Sequence, residues 1–292
     1  MISRKSYNVP LPDGRSLALG ERCLVMGILN VTPDSFAERT RFLDPEAAVD
    51  AALRMQQDGA DLVDVGGEST RPGADPIPAA EELARIMPVL RALAGRLTIP
   101  VSIDTSKADV ARAAVDAGAA IINDVSGLRF DPPVADVVAR SGAAIVLMHT
   151  RGMPKTMYAE AVYEDVIADV RRELTESIAV ATAAGVPVER LIVDPGIGFA
   201  KRPAHSYGVL ARLPELASAL DRPLLVGPSR KSFMRAAIGD RPAPERDWGT
   251  AGAVAAAVLA GAHIVRVHAV AEMTQVVAVA EKIRRAGQQD TT

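Results

Sequence analysis

The sequence predicts an α/β chain folded as one (β/α)8 barrel of the TIM type, with a short β-hairpin ahead of it. Three observations carry this. Eight short apolar-rich runs recur, at residues 23–29, 62–65, 100–103, 120–122, 143–148, 191–193, 223–226 and 264–267. Segments of helical composition and period lie between them. A polar residue arrives directly at the end of each run. Near-continuous apolar strands belong to a parallel sheet covered on both faces, and eight strand–helix units close a barrel. A doubly wound open sheet is the runner-up. The strand count and the lack of a long linker favour the barrel.

Taken in order, residues 7–20 hold Asp13-Gly14 between short alternating segments, a hairpin turn signal. The segment from Ala47 to Gly59 has helical period and a glycine stop, as do 109–118 and 166–185. Residues 251–260 are apolar but too short and too rich in alanine to span a membrane. The chain thus divides into a hairpin extension (1–22), a barrel unit (23–286) and a frayed tail (287–292).

Composition narrows the functions. At 292 residues and 49% hydrophobic content a sizeable core is available, and the formal net charge of −3 gives no field for nucleic acid or an anionic membrane. An anion must therefore be bound by a local cluster. The single cysteine, Cys23, excludes an internal disulfide and reads as a small core residue. The N-terminus lacks the apolar segment of a signal peptide, so a soluble cytoplasmic protein is expected.

The most informative stretch is Leu224-Leu-Val-Gly-Pro-Ser-Arg-Lys-Ser-Phe-Met234. An apolar strand breaks at Gly227-Pro228, and hydroxyls and cations follow where a helix is expected to begin, an arrangement suited to phosphate. The bland alternative makes Ser232 a helix cap and leaves Arg230 and Lys231 solvated. The other strand ends tip the balance. In a barrel the ligand lies at the C-terminal ends of the strands. There Asp104, Asn123 and Asp194 form a set that can accept from and donate to a flat heterocycle rich in N–H groups. Each alone would more often cap a helix. Paired acids could also hold a metal or do acid/base work. A second set is cationic or hydroxylic: Thr70, Arg71, Ser232, Arg266 and His268, with Asn30. Arg266 and His268 are two apart, so they face one side and could clamp a phosphate or diphosphate. His149, His205 and His263 read as ordinary structural or surface histidines, and no His pair has the spacing of a zinc site.

The motifs Asn30-Val-Thr-Pro-Asp-Ser-Phe36, Gly66-Gly-Glu-Ser-Thr-Arg-Pro-Gly73, Ser102-Ile-Asp-Thr105, Asn123-Asp-Val-Ser126, Asp194-Pro-Gly-Ile-Gly-Phe199, Ser229-Arg-Lys-Ser-Phe233 and Arg266-Val-His268 resemble, in order, those of the dihydropteroate synthases. The resemblance covers roughly residues 23–285 and is far more specific than a single glycine pattern. It implies a homodimeric barrel that joins 6-hydroxymethyl-7,8-dihydropterin diphosphate to p-aminobenzoate, giving 7,8-dihydropteroate and pyrophosphate. By the same resemblance, Asp194, Lys231 and Arg71 are catalytic. Asp104, Asn123, Val125, Met148, Asp194, Phe199, Gly227, Lys231 and Arg266 hold the pterin. Asn30, Thr70, Arg71, Ser232, Arg266 and His268 bind the diphosphate, with Mg2+ at Asn30. Phe36, Thr70, Pro72, Phe199, Lys231 and Ser232 shape the aminobenzoate pocket.

Two departures stand out. Ala37-Glu38-Arg39-Thr40 replaces the Ser-Asp-Gly-Gly common in the family, and Ala269 replaces the Asp that commonly follows the histidine. The loss of a carboxylate able to orient His268 predicts weaker diphosphate positioning with activity retained. A folate-dependent methyltransferase would share the pterin set but has no use for the diphosphate set. A non-catalytic pterin-binding paralogue has only the two departures in its favour.

Overall fold

In the computed structural model, which describes residues 4–32, 45–71 and 73–289 and side chains as far as Gly287, the barrel forms as the runs predict. A two-stranded antiparallel hairpin comes first: β1 (Tyr7–Pro10) and β2 (Ser16–Leu19), with Val9 opposite Leu17. Then come β3 (Leu24–Asn30), β4 (Leu62–Gly66), β5 (Val101–Asp104), β6 (Ile121–Asp124), β7 (Ala144–Met148), β8 (Leu191–Asp194), β9 (Leu225–Val226) and β10 (Ile264–Val267). All pairings are parallel, in the order β8-β7-β6-β5-β4-β3-β10-β9. A parallel bridge between Val193 and Leu224, with Val193 N–H donating to the Pro223 carbonyl at 3.0 Å, joins β8 to β9 and closes the ring.

The outer helices follow the periodic segments. Pro45–Gln57, Ala108–Asp116 and Val166–Ala183 end just before Gly59, Gly118 and Gly185, whose φ angles of 94°, 101° and 92° halt a helix without a Cβ clash. The last helix, Val270–Gln289, runs past the boundary at 286 that the sequence suggests.

Side chains on each strand alternate between two environments. Val63, Val65, Ile103, Ile122, Ile145 and Leu147 pack outward against one group of helices, and Val25, Val193, Val226, Val265 and Val267 against the rest. The alternate residues point inward. At the N-terminal end these are Met26, Leu62, Ile121, Ala144, Ile192, Leu225 and Ile264, all in one cluster with Val9, Leu11, Leu17 and Leu19 of the hairpin. The hairpin is therefore a plug for the lower mouth of the barrel. Burying each such aliphatic side chain contributes about 1.5–3 kcal/mol. Polar ties hold the plug in register: Arg15 donates to the Thr98 carbonyl at 2.6 Å, and His263 spans from Lys5 O (2.9 Å) to Leu224 N (3.0 Å). Cys23 is buried beside this end, and burial pushes its thiol up to about 12, so it is inert.

Candidate active site

Toward the C-terminal ends of the strands the inward positions change character. The register runs Asn30, Gly66, Asp104 and Asn123 in one row across β3 to β6. Met148 pairs with Asp194 across β7 and β8. Arg266 enters from β10. Asn30, Asn123, Met148, Asp194 and Arg266 each follow an apolar residue two positions earlier, and Gly66 and Asp104 follow the inward Asp64 and Ser102, so strand period places them all inside the upper mouth.

At the floor, Arg266 bridges two carboxylates. Its Nε donates to Asp64 Oδ2 and its Nη2 to Asp104 Oδ2, both at 2.6 Å. Asn123 Nδ2 donates to the same Asp64 oxygen at 2.9 Å. Asp64 Oδ1 and Asp104 Oδ1 are buried with no hydrogen-bond partner among the described residues. An unpartnered buried acceptor is costly in a folded protein, and two together mark a place for a ligand that brings donors. Burial raises the Asp104 carboxyl to about 7, against the opposing pull of Arg266. Asp64 is absent from the sequence-based candidates. It is embedded in the apolar run of β4, and only the barrel register shows that it faces Arg266.

Asp194 ends β8. Its Oδ1 accepts from Gly196 N–H at 2.7 Å, and burial raises its pKa. Three elements converge at Gly227: a Cβ there would lie in ordinary contact, 3.8 Å from Lys231 Nζ, 3.9 Å from Asp194 Oδ2 and 3.7 Å from Arg266 Cβ. Lys231 sends its ammonium inward, donating to the Ile197 carbonyl at 2.5 Å and resting 4.3 Å from the centre of the Phe199 ring. Burial lowers its pKa to about 8, with Asp194 pulling the other way.

The stretch that carries Lys231 differs from expectation in one respect. No long helix starts there. Ser232–Met234 is a single 3-10 turn followed by the four-residue helix Arg235–Ile238, and Ser232 makes no capping bond. No long helix therefore adds its macrodipole at this point, and Ser232 is left with its hydroxyl and the turn's own backbone. The two cations also part company. Arg230, at φ 58°, is pinned through a bidentate pair with Asp247 (2.8 and 2.7 Å), and its N–H donates to Thr250 Oγ1 at 3.0 Å. That pair holds a left-handed residue in place and turns Lys231 into the cleft.

His268 has the orienting partner that Ala269 cannot provide. Ser229 Oγ accepts from the His268 backbone N–H at 3.2 Å and lies 2.9 Å from its Nδ1. The hydroxyl has one proton and a second lone pair, so it can donate to a bare Nδ1, which leaves the ring N–H on Nε2, or accept from Nδ1–H. Burial, with Arg230, Arg266 and Arg71 nearby, lowers the His268 pKa to about 3, so the ring is neutral. A serine thus contacts the ring for which the sequence shows no carboxylate partner.

A cleft of about 760 Å³ opens over these groups. Asn30, Thr70, Arg71, Asp104, Phe199, Gly227, Lys231, Ser232, Arg266 and His268 line it. Asn123, Val125, Met148 and Asp194 do not line it; they are buried around its floor. Phe36, Pro72 and the Ala37–Thr40 departure lie outside the described residues. Among the described residues no group of three His, Cys, Asp or Glu side chains could hold a metal ion, and no helix is long and apolar enough to cross a membrane.

A second buried network sits behind Asp194. Lys201, 1% exposed, places Nζ 2.8 Å from His149 Nδ1, and His149 Nε2 lies 3.0 Å from Glu173 Oε2. Gly196 lets the β8 loop press against this group, since a Cβ there would fall 1.9 Å from the His149 carbonyl oxygen. Burial lowers the His149 pKa to about 3 and drives Lys201 well down. His149 is thus a satisfied core residue, in line with its default reading.

A family model described as "Pterin binding enzyme" matches residues 26–268. The dihydropteroate synthase of Synechocystis sp. is 47% identical over 278 residues, 94% of this chain and 96% of its own. The crystal structure of the Xanthomonas albilineans dihydropteroate synthase with 4-aminobenzoic acid superimposes with a TM-score of 0.88 at 42% identity, covering 96% of this chain and 99% of that one. The Burkholderia cenocepacia dihydropteroate synthase complexed with 7,8-dihydropteroate gives 0.86 at 42% identity, covering 97% and 98%. A barrel whose floor offers unpartnered carboxylate oxygens, matched over nearly its whole length by these proteins, belongs to the pterin binding enzyme family.

Proposed function

We propose that the cleft catalyses the dihydropteroate synthase reaction of folate biosynthesis, in which 6-hydroxymethyl-7,8-dihydropterin diphosphate alkylates the amine of p-aminobenzoate and releases pyrophosphate. One observation supports this most: Asp104, with an unpartnered buried oxygen, lines the same cleft as a rim of Arg71, Lys231, Ser232 and His268, and the buried carboxylates of Asp64 and Asp194 sit around its floor. The floor suits the N–H edge of a pterin, and the rim suits a diphosphate and an aryl carboxylate. The C–O bond to the diphosphate breaks early, because the electron-rich dihydropterin spreads the positive charge left on the methylene. Asp194 lies where it would balance that charge. Lys231 would donate to the pterin carbonyl, and His268 Nε2–H to a diphosphate oxygen. Arg71 and Ser232 would meet the aryl carboxylate or the leaving diphosphate. The arylamine is already nucleophilic, so no covalent nucleophile is required.

Mg2+ fits this reading as an ion carried by the substrate. Asn30 offers one neutral amide oxygen, and the nearby Asp104 is engaged by Arg266. Mg2+ commonly keeps waters and binds through substrate phosphates with few protein ligands. Once bound, it would supply positive charge to the departing diphosphate. A homodimer is part of this reading, and its support is the exposure of large apolar side chains: Trp248 is 90% exposed, and Val279 and Ile283 of a helix packed against its own are 62% and 50% exposed. Division at residues 22 and 286 and a cytoplasmic location belong to the same proposal.

The test supplies the dihydropterin diphosphate, p-aminobenzoate and Mg2+ and assays for dihydropteroate. Product that requires all three is the expected result. A folded protein that binds the pterin but forms no product would favour the storage paralogue.

A further inference from the structure

The segment after β7, residues 150–162, touches three neighbours of the outer cleft. Pro154 O accepts from Gly73 N–H at 3.1 Å, which ties it to the turn that carries Arg71. Met157 is 1% exposed and its Sδ lies 3.4 Å from Ala200 N, which ties it to the loop that carries Phe199. Tyr158, next along, places its hydroxyl 3.2 Å from Ser232 Oγ. Tyr158 and Ser232 both line the main cleft and also a neighbouring cavity of about 200 Å³ bounded by Lys201 and Phe233, so the pair stands at the boundary between the two.

We propose that Tyr158 is a specificity-determining residue for the aryl co-substrate: its ring limits the width of the outer cleft and its hydroxyl orients Ser232 toward the carboxylate. The inference rests on the synthase reading above. Three anchors, at Gly73, Ala200 and Ser232, hold the segment against the cleft, and the buried Met157 fixes the position from which Tyr158 projects. A phenol beside a serine hydroxyl lets Ser232 accept from Tyr158 while its own proton points at the ligand. Removal of the ring would merge the two cavities and admit a wider arylamine.

Steady-state kinetics on the wild type, Tyr158→Phe and Tyr158→Ala test this. Wild-type turnover to dihydropteroate comes first, since its failure would reject the synthase reading and not this one. Loss of one neutral hydrogen bond predicts that Tyr158→Phe raises KM for p-aminobenzoate by about three- to tenfold and leaves KM for the diphosphate substrate unchanged. Tyr158→Ala should also raise the relative kcat/KM for 4-amino-2-hydroxybenzoate over p-aminobenzoate. That ratio, read on one preparation, does not depend on the fraction folded. Unchanged KM and unchanged discrimination in both variants would overturn the proposal, as would equal changes in both substrates' KM values.

Discussion

The two mouths of the barrel are built from the same strands and the same inward-facing register, yet they do opposite things. At the lower mouth the inward residues are Met26, Leu62, Ile121, Ile192 and Ile264, and a hairpin seals them. At the upper mouth, two residues on along the strands, they are Ile28, Asp64, Asn123, Asp194 and Arg266. The first set removes apolar surface from water. The second leaves carboxylate oxygens buried and unpartnered. Backbone geometry fixes the place of an inward side chain, and its chemistry decides whether that place stores stability or strain. Natural chains accept such local cost where a ligand is to bind.

Five substitutions at four positions and a pH profile probe that contrast. The largest expected effect lies at the sealed mouth. Leu19→Ala removes a side chain that is 2% exposed in the plug and should cost about 2–5 kcal/mol of stability. Both KM values should stay at wild-type levels, as thermal melts and kinetics would record. A shift in KM would mean that the two mouths are coupled.

At the open mouth, Lys231→Ala and Lys231→Arg should melt like the wild type and lose most turnover. A hydrogen bond from a charged group contributes about 1.5–3 kcal/mol, roughly ten- to hundredfold, and the planar fork of arginine does not replace an ammonium that sits between Ile197 O and the Phe199 ring. An active, well-folded Lys231→Ala would remove the residue from the site. Asp194→Asn keeps the shape and loses the charge, and its kcat should fall about tenfold or more. Unchanged kinetics would leave the developing cation without its proposed counter-charge.

The pH profile follows from two displaced groups. Burial raises Asp104 to about 7, so the carboxylate that would accept pterin N–H groups is lost as pH falls through that value. Burial lowers Lys231 to about 8, so the ammonium is lost as pH rises through it. The profile of kcat/KM should be a narrow bell with limbs near these values. His268, lowered to about 3, should add no limb. A flat profile between pH 6 and 9, roughly one unit beyond each limb, would remove both groups from the rate. The smallest effect is expected for Ser229→Ala, which frees the His268 ring. Loss of one neutral hydrogen bond predicts about a two- to tenfold rise in KM for the diphosphate substrate alone.

Much of this contrast is legible in the sequence. The eight apolar runs specify the strands, and Asp13-Gly14 specifies the hairpin, because both signals are local. The row of Asn30, Asp104 and Asn123 is legible because each residue interrupts an apolar run at its end. Asp64 is not, because it lies inside a run and its partner Arg266 is 202 residues away. The contact of Ser229 with His268 is hidden for the same reason: it forms only after β10 closes beside the turn that follows β9. The split between Arg230 and Lys231 needs Asp247, which no local pattern links to either.

One contact near the plug has a consequence for how the chain can be joined to others. Arg4 Nη1 meets Glu281 Oε1 at 2.6 Å, and Cys23 N–H donates to the same oxygen at 2.8 Å. The beginning and the end of the described chain are therefore clasped together, beside the mouth that carries no chemistry. A tether or a second catalytic unit attached at either side would hang from the base and leave the route to the cleft open. A short linker across that clasp would also let the ring of strands be cut elsewhere, so a circularly permuted chain opened at the exposed 95–98 turn should still assemble its catalytic face.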